Sequence, residues 1–190
     1  MVIHNVKISA KIAKNHYLCN LICFKMEKIE TLYITPDGFD NLLLQSDGEF
    51  LTGLHFVTSP SIIPVLPISQ TPSILKETSF WLDTYFSGHQ PDFTPAYKIE
   101  NLTPFRREVL SILCTIKFGN LLTYGEIGAQ IAEFWGIPKM SAQAVGNAVG
   151  WNPICIIIPC HRVIGSNGNL IGYGGGIQNK EALLRLEGSF

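Results

Sequence analysis

Between residues 30 and 57, apolar residues occur in short β-rich runs, and this pattern then gives way to helical spacing. Two turn signals, PDG at 36–38 and SDGE at 46–49, separate the β-rich runs. This part of the chain therefore predicts a small antiparallel sheet. Residues 73–88 then carry apolar side chains at roughly helical spacing and end on a glycine, which predicts a helix with a glycine stop.

Helical spacing dominates the second half of the chain. A Thr-Pro pair opens a predicted helix over residues 103–119. Thr123 is followed three residues later by Glu126, the capping-box spacing, which predicts a second helix over residues 123–136. Residues 141–150 are mostly small and follow a short break, as in a helix-turn-helix. Small residues equally suit tight packing between helices, so the pattern alone leaves both interpretations open.

These elements together predict an α+β chain with two domains. Residues 90–104 have the composition of a linker, so we place a small sheet-bearing domain at 26–96 and a helical domain at 97–190. We interpret residues 1–25 as an extension that is dispensable for folding.

Composition and charge narrow the class of protein. The chain has 190 residues, of which 46% are hydrophobic, so it can bury a substantial core. Its formal net charge is -1, which excludes a strongly basic nucleic-acid-binding protein. Residues 97–190 carry 8 Lys and Arg against 6 Asp and Glu, a mild positive excess that does not identify a partner.

The cysteines indicate a reducing, intracellular setting, which we interpret as the cytoplasm. The five cysteines are Cys19, Cys23, Cys114, Cys155 and Cys160. Their number is odd and they lack paired spacing, so a disulfide framework is not expected. Cys19 and Cys23 with His4 and His16 match no common zinc-finger spacing, and we expect no metal there. The apolar run at 17–24 is far shorter than the roughly 20 residues of a membrane span, so neither anchor nor signal peptide is predicted.

Candidate chemistry is concentrated at residues 156–165, IIIPCHRVIG. Pro159 is expected to end a buried strand or helix, which places Cys160 at the exit of that element. A neighbouring imidazole that removes the thiol proton would produce a thiolate nucleophile. Adjacent side chains rarely face each other, so we expect His161 to reach the sulfur through a water molecule. Glu187 is a candidate carboxylate to orient the imidazole.

Other interpretations of these residues remain open. A buried structural thiol is the commonest fate of a cysteine, and Cys155 is the natural candidate for that role. A cysteine hydrolase would use the same Cys-His pair, although the adjacent spacing is unusual for that class. A winged-helix regulator would explain the helix-turn-helix, but it would leave Cys160, His161 and Glu187 without a role.

Four motifs together resemble one family. IPCHRVIG at 158–165, TYGEIG at 123–128, NP at 152–153 and GYGGG at 172–176 are similar to the O6-alkylguanine-DNA alkyltransferases, also called methylated-DNA-protein-cysteine methyltransferases. The resemblance extends from Met26 to the C-terminus. It implies a small antiparallel-sheet, ribonuclease-H-like domain followed by a winged-helix-like, DNA-binding catalytic domain.

The resemblance also implies a reaction. An alkyl group moves from O6 of guanine, or O4 of thymine, in duplex DNA to Cys160 after the base is flipped out. S-methylcysteine is a thioether that water has no easy route to cleave, so each molecule acts once. The family implies a monomer that needs no cofactor or metal and has no membrane partner. An alkyltransferase-like protein that binds damage without efficient transfer is the alternative, although such proteins lack the nucleophilic cysteine.

The family implies three groups of site residues. The catalytic group consists of Cys160, His161, Glu187, Tyr124 and Asn152. The substrate pocket contains Val163, Tyr173 and Gly174. The DNA-binding surface contains Gln143, Ser141, Ala142, Ala144, Gly146, Lys139, Arg106 and Arg107.

Each catalytic residue has an implied role. Cys160 accepts the alkyl group, while His161 is the base acting through water and Glu187 polarises it. Tyr124 donates a proton to the leaving base. Asn152 is the hinge between the DNA-reading helix and the cysteine.

The chain departs from the family pattern at one DNA-binding position. Where the family commonly has an arginine that fills the space of the flipped base, this chain has Gln143. Because glutamine brings no positive charge, weaker duplex binding or base flipping is expected. Arg162 is interpreted as structural, holding the buried turn that contains the cysteine.

Overall fold

The computed structural model describes residues 28–59 and 63–190 of the chain. The predictions for residues 1–25, including the absence of a metal site at His4, His16, Cys19 and Cys23, lie outside the described residues. Across the described ranges, no helix has both the length and the apolar character needed to cross a membrane. The division of the chain at residue 97 stays a prediction.

The predicted antiparallel sheet is confirmed and has three strands. They are β1 (Ile29–Tyr33), β2 (Asn41–Ser46) and β3 (Leu51–Val57), in that spatial order. Gly38 lies in the first connection at φ 97° and Gly48 in the second at φ 100°. Because this left-handed region favours glycine, the PDG and SDGE segments are suited to these turns.

One face of the sheet packs against the first helix, α1 (Ser73–Phe86). On β2, Leu42 and Leu44 are fully buried, and Leu75 and Leu82 of α1 are equally inaccessible. The helix ends two residues before the predicted glycine stop. These apolar side chains supply the core beneath the sheet, because burying apolar area is the dominant favourable term in folding.

The second half is helical, as predicted. It contains α2 (Pro104–Thr115), α3 (Tyr124–Trp135), α4 (Ala142–Gly150) and α5 (Ile177–Leu186). The capping box of α3 forms in both directions between Thr123 and Glu126, and α3 ends where Gly136 enters the left-handed region. The pair α3 and α4 makes the predicted helix-turn-helix.

The prediction for α2 was too long. The helix ends at Thr115, and Ile116 turns to an extended conformation at ψ 109°, instead of continuing to residue 119. The carbonyl of Ile116 accepts a hydrogen bond of 2.6 Å from Arg162 Nη1. The Ile116 carbonyl therefore bonds a side chain that is 46 residues away instead of a backbone N-H of the same helix. The spacing of nearby apolar residues cannot reveal such a contact.

The apolar run before the cysteine was also predicted wrongly, because it forms neither a strand nor a helix. Residues 154–158 fold as successive turns, with Ile156 at φ 66°. A β-branched residue in the left-handed region is a genuine outlier and interrupts any regular element. The turns are tied to β3 because Cys155 N donates to the Leu54 carbonyl at 3.0 Å.

After Pro159 the chain makes a single 3₁₀ turn, Cys160–Arg162, and enters β5 (Val163–Ile164). This short strand pairs in parallel with β4 (Leu122–Thr123), which directly precedes α3. The pairing brings the cysteine turn beside the start of the helix-turn-helix.

Candidate active site

Cys160 is buried, and the side chain of Asn152 holds its sulfur. Asn152 Nδ2 lies 3.0 Å from Cys160 Sγ and donates to the Ile158 carbonyl at 2.8 Å. Asn152 Oδ1 accepts from the backbone N-H of Ile154 at 3.1 Å. The side-chain amide of Asn152 therefore bonds both ends of the irregular turns and also contacts the thiol. These contacts fix the position of the sulfur relative to the end of α4.

The resting form of Cys160 is the thiol. Burial raises the pKa of Cys160, and the hydrogen bond from Asn152 opposes this effect without cancelling it. A thiol is a poor nucleophile, so chemistry at this sulfur requires a group that removes its proton.

His161 is the buried imidazole beside this thiol. Its side chain is inaccessible to solvent, and Nε2 lies 2.8 Å from Glu187 Oε1. Burial lowers the pKa of His161 although Glu187 raises it, so the ring is neutral at pH 7. Because Nε2 faces a carboxylate, the proton of the neutral ring belongs on Nε2. Nδ1 is then a proton acceptor, and it has no hydrogen-bond partner among the described residues.

The Glu187 carboxylate is the centre of a buried polar network. Burial alone would raise the pKa of Glu187, but hydrogen bonds and charge from His161 and Arg162 lower it to about 2. Arg162 donates through Nε to Oε2 and through Nη2 to Oε1, both at 2.9 Å. The backbone N-H of Gly119 also donates to Oε2, at 3.1 Å. Arg162 thus joins the 3₁₀ turn to the C-terminal end of α5.

Tyr85 of α1 also belongs to this network, and the sequence analysis missed it. Its hydroxyl donates to Glu187 Oε1 at 2.6 Å and lies 3.3 Å from His161 Nε2. The helical spacing placed Tyr85 on the apolar face of α1, which is correct for its ring. No local signal could have found the hydroxyl contact, because the two partners are 102 residues apart in sequence.

The thiol faces a cavity of about 300 Å³. Residues from both halves line it: His55, Phe56, Val149, Gly150, Trp151, Asn152, Cys155, Cys160, Gly172, Tyr173, Gly174 and Gly175. The predicted pocket residues Tyr173 and Gly174 are therefore brought to Cys160. Sequence analysis did not find His55 and Phe56, which β3 contributes.

A larger open groove of about 1030 Å³ adjoins this cavity. The two share Gly150, Trp151 and the loop from Gly172 to Gly174. One wall of the groove is α4, and the opposite wall is the loop that follows β5. The groove and the thiol cavity are therefore separated only by residues that line both.

The structure places some of the predicted DNA-binding residues of α4 in this groove. Ala142, Gln143 and Gly146 line it, and Gln143 is exposed. Ser141 instead caps α4, where its Oγ accepts from the Ala144 N-H at 3.4 Å. Ser141 and Ala144 lie outside the residues that line the groove.

The predicted basic residues are not all brought together. Arg106 lines the groove, and its guanidinium carbon lies 4.0 Å from the centre of the Trp151 ring. Arg107 and Lys139 are exposed but do not line the groove. The groove itself therefore carries one of the three predicted cations.

Tyr124 lines the groove, but its hydroxyl is already engaged. It donates to the Ile171 carbonyl at 2.9 Å, across the groove from α4. A Cβ atom added at Gly146 would lie 3.8 Å from the Tyr124 ring, an ordinary van der Waals contact, so Gly146 packs directly beside this ring. Burial raises the pKa of Tyr124, so its hydroxyl is protonated at pH 7.

Val163, which the family resemblance predicts for the substrate pocket, lies in the short strand β5. Its side chain is fully buried in the core and lines neither the groove nor the cavity. The cause is its place in β5, where pairing with Leu122 turns the side chain inward.

Lys180 is a buried lysine that joins β5 to the loop after it. Its Nζ donates to the Val163 carbonyl at 2.6 Å and to the Ile171 carbonyl at 3.1 Å. Burial lowers the pKa of Lys180 to about 8, and no sequence pattern had marked this lysine.

Comparisons with known proteins bear on this site. Residues 104–189 match the model of the family described as 6-O-methylguanine DNA methyltransferase, DNA binding domain. A methylated-DNA-protein-cysteine methyltransferase of Mycobacterium bovis is 49% identical over 148 residues, which is 78% of this chain and 86% of the relative. One from Methanosarcina acetivorans is 43% identical over 150 residues, or 78% of this chain and 92% of that protein.

Solved structures give the same similarity. The O6-methylguanine methyltransferase of Mycobacterium tuberculosis superposes with a TM-score of 0.68 at 36% identity, covering 85% of this chain and 93% of that structure. A Mycobacterium tuberculosis OGT in complex with DNA superposes with a TM-score of 0.66 at 39% identity, covering 84% of this chain and 92% of that structure.

Proposed function

Since the chain belongs to the methylated-DNA-protein-cysteine methyltransferase family, we propose that it repairs duplex DNA by moving an alkyl group from O6 of guanine to its own Cys160. The observation that carries this assignment is the position of the thiol, which faces a small cavity that adjoins the groove beside α4 and shares lining residues with it. The groove accommodates the nucleic acid, and the cavity receives the extruded base.

His161 is the proposed base that activates the thiol. The proton leaves Cys160 Sγ and reaches His161 Nδ1 through a bridging water, because this buried nitrogen has no hydrogen-bond partner within residues 28–59 and 63–190 and needs one. The imidazolium that forms is stabilised by the ionised Glu187 on its other side, 2.8 Å from Nε2. The neutral ring at pH 7 supports this role, since a charged ring could accept no proton.

The thiolate then attacks the alkyl carbon. The new S-C bond forms as the C-O6 bond breaks, and the electron pair passes to the guanine, which is protonated as it leaves. Tyr124 is the proposed proton donor once its hydroxyl exchanges the Ile171 carbonyl for the base. The product is a thioether, which contains no activated carbonyl for water to attack. The protein is therefore consumed, one molecule for each lesion.

DNA handling is assigned to α4 and the basic residues near it. Small side chains at Ala142 and Gly146 allow close approach to a nucleic-acid backbone or minor groove. Gln143 would occupy the space of the flipped base, whose extrusion costs a few kcal/mol. Arg106 is the groove's candidate phosphate contact, and Arg107 and Lys139 would act further along the duplex.

We assign the protein to the cytoplasm on chemical grounds. Its substrate is DNA, and its nucleophile works only while the thiol is reduced. A compartment that contains DNA and keeps thiols reduced meets both requirements.

Mass spectrometry after mixing with an O6-methylguanine duplex tests the assignment. We expect a mass gain of one methylene unit per protein molecule, located on Cys160 by peptide mapping. Cys160→Ser is expected to bind the duplex and gain no mass. An adduct on Cys155 or Cys114, or catalytic turnover without an adduct, would overturn the assignment.

A further inference from the structure

We infer that Tyr85, on α1 of the N-terminal half, is a positioning residue: its hydroxyl holds Glu187 Oε1 where that oxygen fixes the tautomer of His161 needed for alkyl transfer. This inference rests on the proposed function, because it concerns the proton acceptor of that reaction. Glu187 and His161 lie at or beyond residue 161, whereas Tyr85 comes from the helix packed beneath the sheet.

The hydroxyl of Tyr85 has two neighbours but one proton. It lies 2.6 Å from Glu187 Oε1 and 3.3 Å from His161 Nε2, so the carboxylate receives the proton. Burial, and after it the charge of Glu187, raise the pKa of Tyr85 well above its usual value. The hydroxyl is therefore protonated and acts as a donor at every physiological pH.

This arrangement determines which nitrogen of His161 carries the proton. If Nε2 were unprotonated, its lone pair would face a carboxylate oxygen and a hydroxyl oxygen whose proton is already used. With the proton on Nε2, the ring donates to Glu187 at 2.8 Å, and the Tyr85 oxygen is a second, longer acceptor. Nδ1 is then the free acceptor, as removal of the Cys160 proton requires.

The aromatic packing around Tyr85 fixes the position of its hydroxyl. Its ring is fully buried and stacks on Trp81 with 5.4 Å between centroids and 8° between planes. Trp81 is held in turn, because its Nε1 donates to the Phe93 carbonyl at 2.8 Å. Phe118 packs edge-on against Tyr85 at 5.9 Å. Because the ring has little freedom, the N-terminal half presents one rigid donor to the site.

Tyr85→Phe in the full chain removes this donor and keeps the ring. Tyr33→Phe is the matched control, because Tyr33 also donates to a carboxylate, that of Asp83 on the same helix, at 2.8 Å. Transfer rates are measured on a methylated duplex and on free O6-benzylguanine. Separately, ¹⁵N NMR of histidine-labelled protein, with His161 assigned from His161→Gln, reports the tautomer of the ring.

We expect Tyr85→Phe to remain folded and to transfer roughly tenfold more slowly on both substrates, the effect of one lost hydrogen bond to a charged group. Because Glu187 Oε1 loses the donor that holds it against Nε2, the His161 signals should move from the Nε2-H pattern toward a mixture of tautomers. Tyr33→Phe should change neither the rate nor the spectrum.

Two results would overturn the inference: a parent-like rate in Tyr85→Phe, or a slower rate with an unchanged His161 spectrum. A parent protein that transfers no alkyl group would instead refute the proposed function. In that case the NMR comparison would still decide whether Tyr85, through Glu187, affects the tautomer of His161.

Discussion

Replacing Glu187 by glutamine tests the energetic role of the buried network. The substitution keeps the shape of the side chain but removes the charge that Arg162 and His161 contact. Arg162 is 5% exposed, so the substitution leaves a buried guanidinium without its carboxylate partner. Breaking a buried ion pair from one side costs about 3–5 kcal/mol.

The pKa of Glu187 gives a second, independent value for the free energy by which its charge stabilises the fold. Folding lowers this pKa from 4.5 to about 2, and each pKa unit corresponds to about 1.4 kcal/mol, so ionised Glu187 stabilises the fold by about 3 kcal/mol at pH 7. Because the folded-state pKa is depressed, this contribution is complete above about pH 5 and is lost as the pH falls toward 2. At pH 3, about 1.4 kcal/mol of it remains.

Urea unfolding followed by tryptophan fluorescence measures the effect at both pH values. The gap in unfolding free energy between the parent and Glu187→Gln should be about 3 kcal/mol at pH 7 and should shrink by about 2 kcal/mol at pH 3. Glu181→Gln is the control on the same helix, because Glu181 is 40% exposed and pairs with Arg185. Its effect should stay within about 0.5 kcal/mol at both pH values. A gap below about 1 kcal/mol at pH 7, or an equal gap at both pH values, would refute the reasoning.

Three further predictions concern the thiols, the groove and the loop opposite α4. Cys155→Ala should preserve transfer, because Cys155 is not the proposed nucleophile. Because Cys155 is buried, the substitution should cost up to about 2 kcal/mol of stability in urea unfolding. Loss of transfer in a folded variant would contradict this. Gln143→Ala should slow transfer from a duplex but not from free O6-benzylguanine, and Gln143→Arg should tighten duplex binding by about 1 kcal/mol at low salt. Equal slowing on both substrates would assign Gln143 to the fold of the site instead. Tyr124→Phe should slow transfer about a hundredfold through loss of the proton donor, and should cost about 1 kcal/mol through loss of the bond to the Ile171 carbonyl; an unchanged single-turnover rate would rule out the donor role.

Local interactions explain why parts of the fold were predictable from the sequence. The two turns of the sheet and the capping box of α3 each depend on residues at most four positions apart. Such contacts form whenever the right side chains are neighbours in the chain. The Cys-His pair and the surrounding motifs likewise identify the family, because each motif is a contiguous run of residues.

Predictions failed where distant contacts outweighed local preference. The apolar run at 156–158 was expected to belong to a strand or helix, but it folds as part of a series of turns tied to β3 and to Asn152. The helix α2 ends early because Ile116 bonds Arg162.

The sequence by itself determined the order of the elements, the helix-turn-helix and the family motif that contains Cys160 and His161, the pair proposed as reactive, because each depends on residues that are close together in the chain. The tertiary structure alone decided the surroundings of that pair. Tyr85 meets Glu187 across 102 residues, and Lys180 reaches the carbonyls of Val163 and Ile171. The physical reason is that a buried hydrogen bond depends on how separate elements pack, and packing depends on the whole core rather than on any one segment.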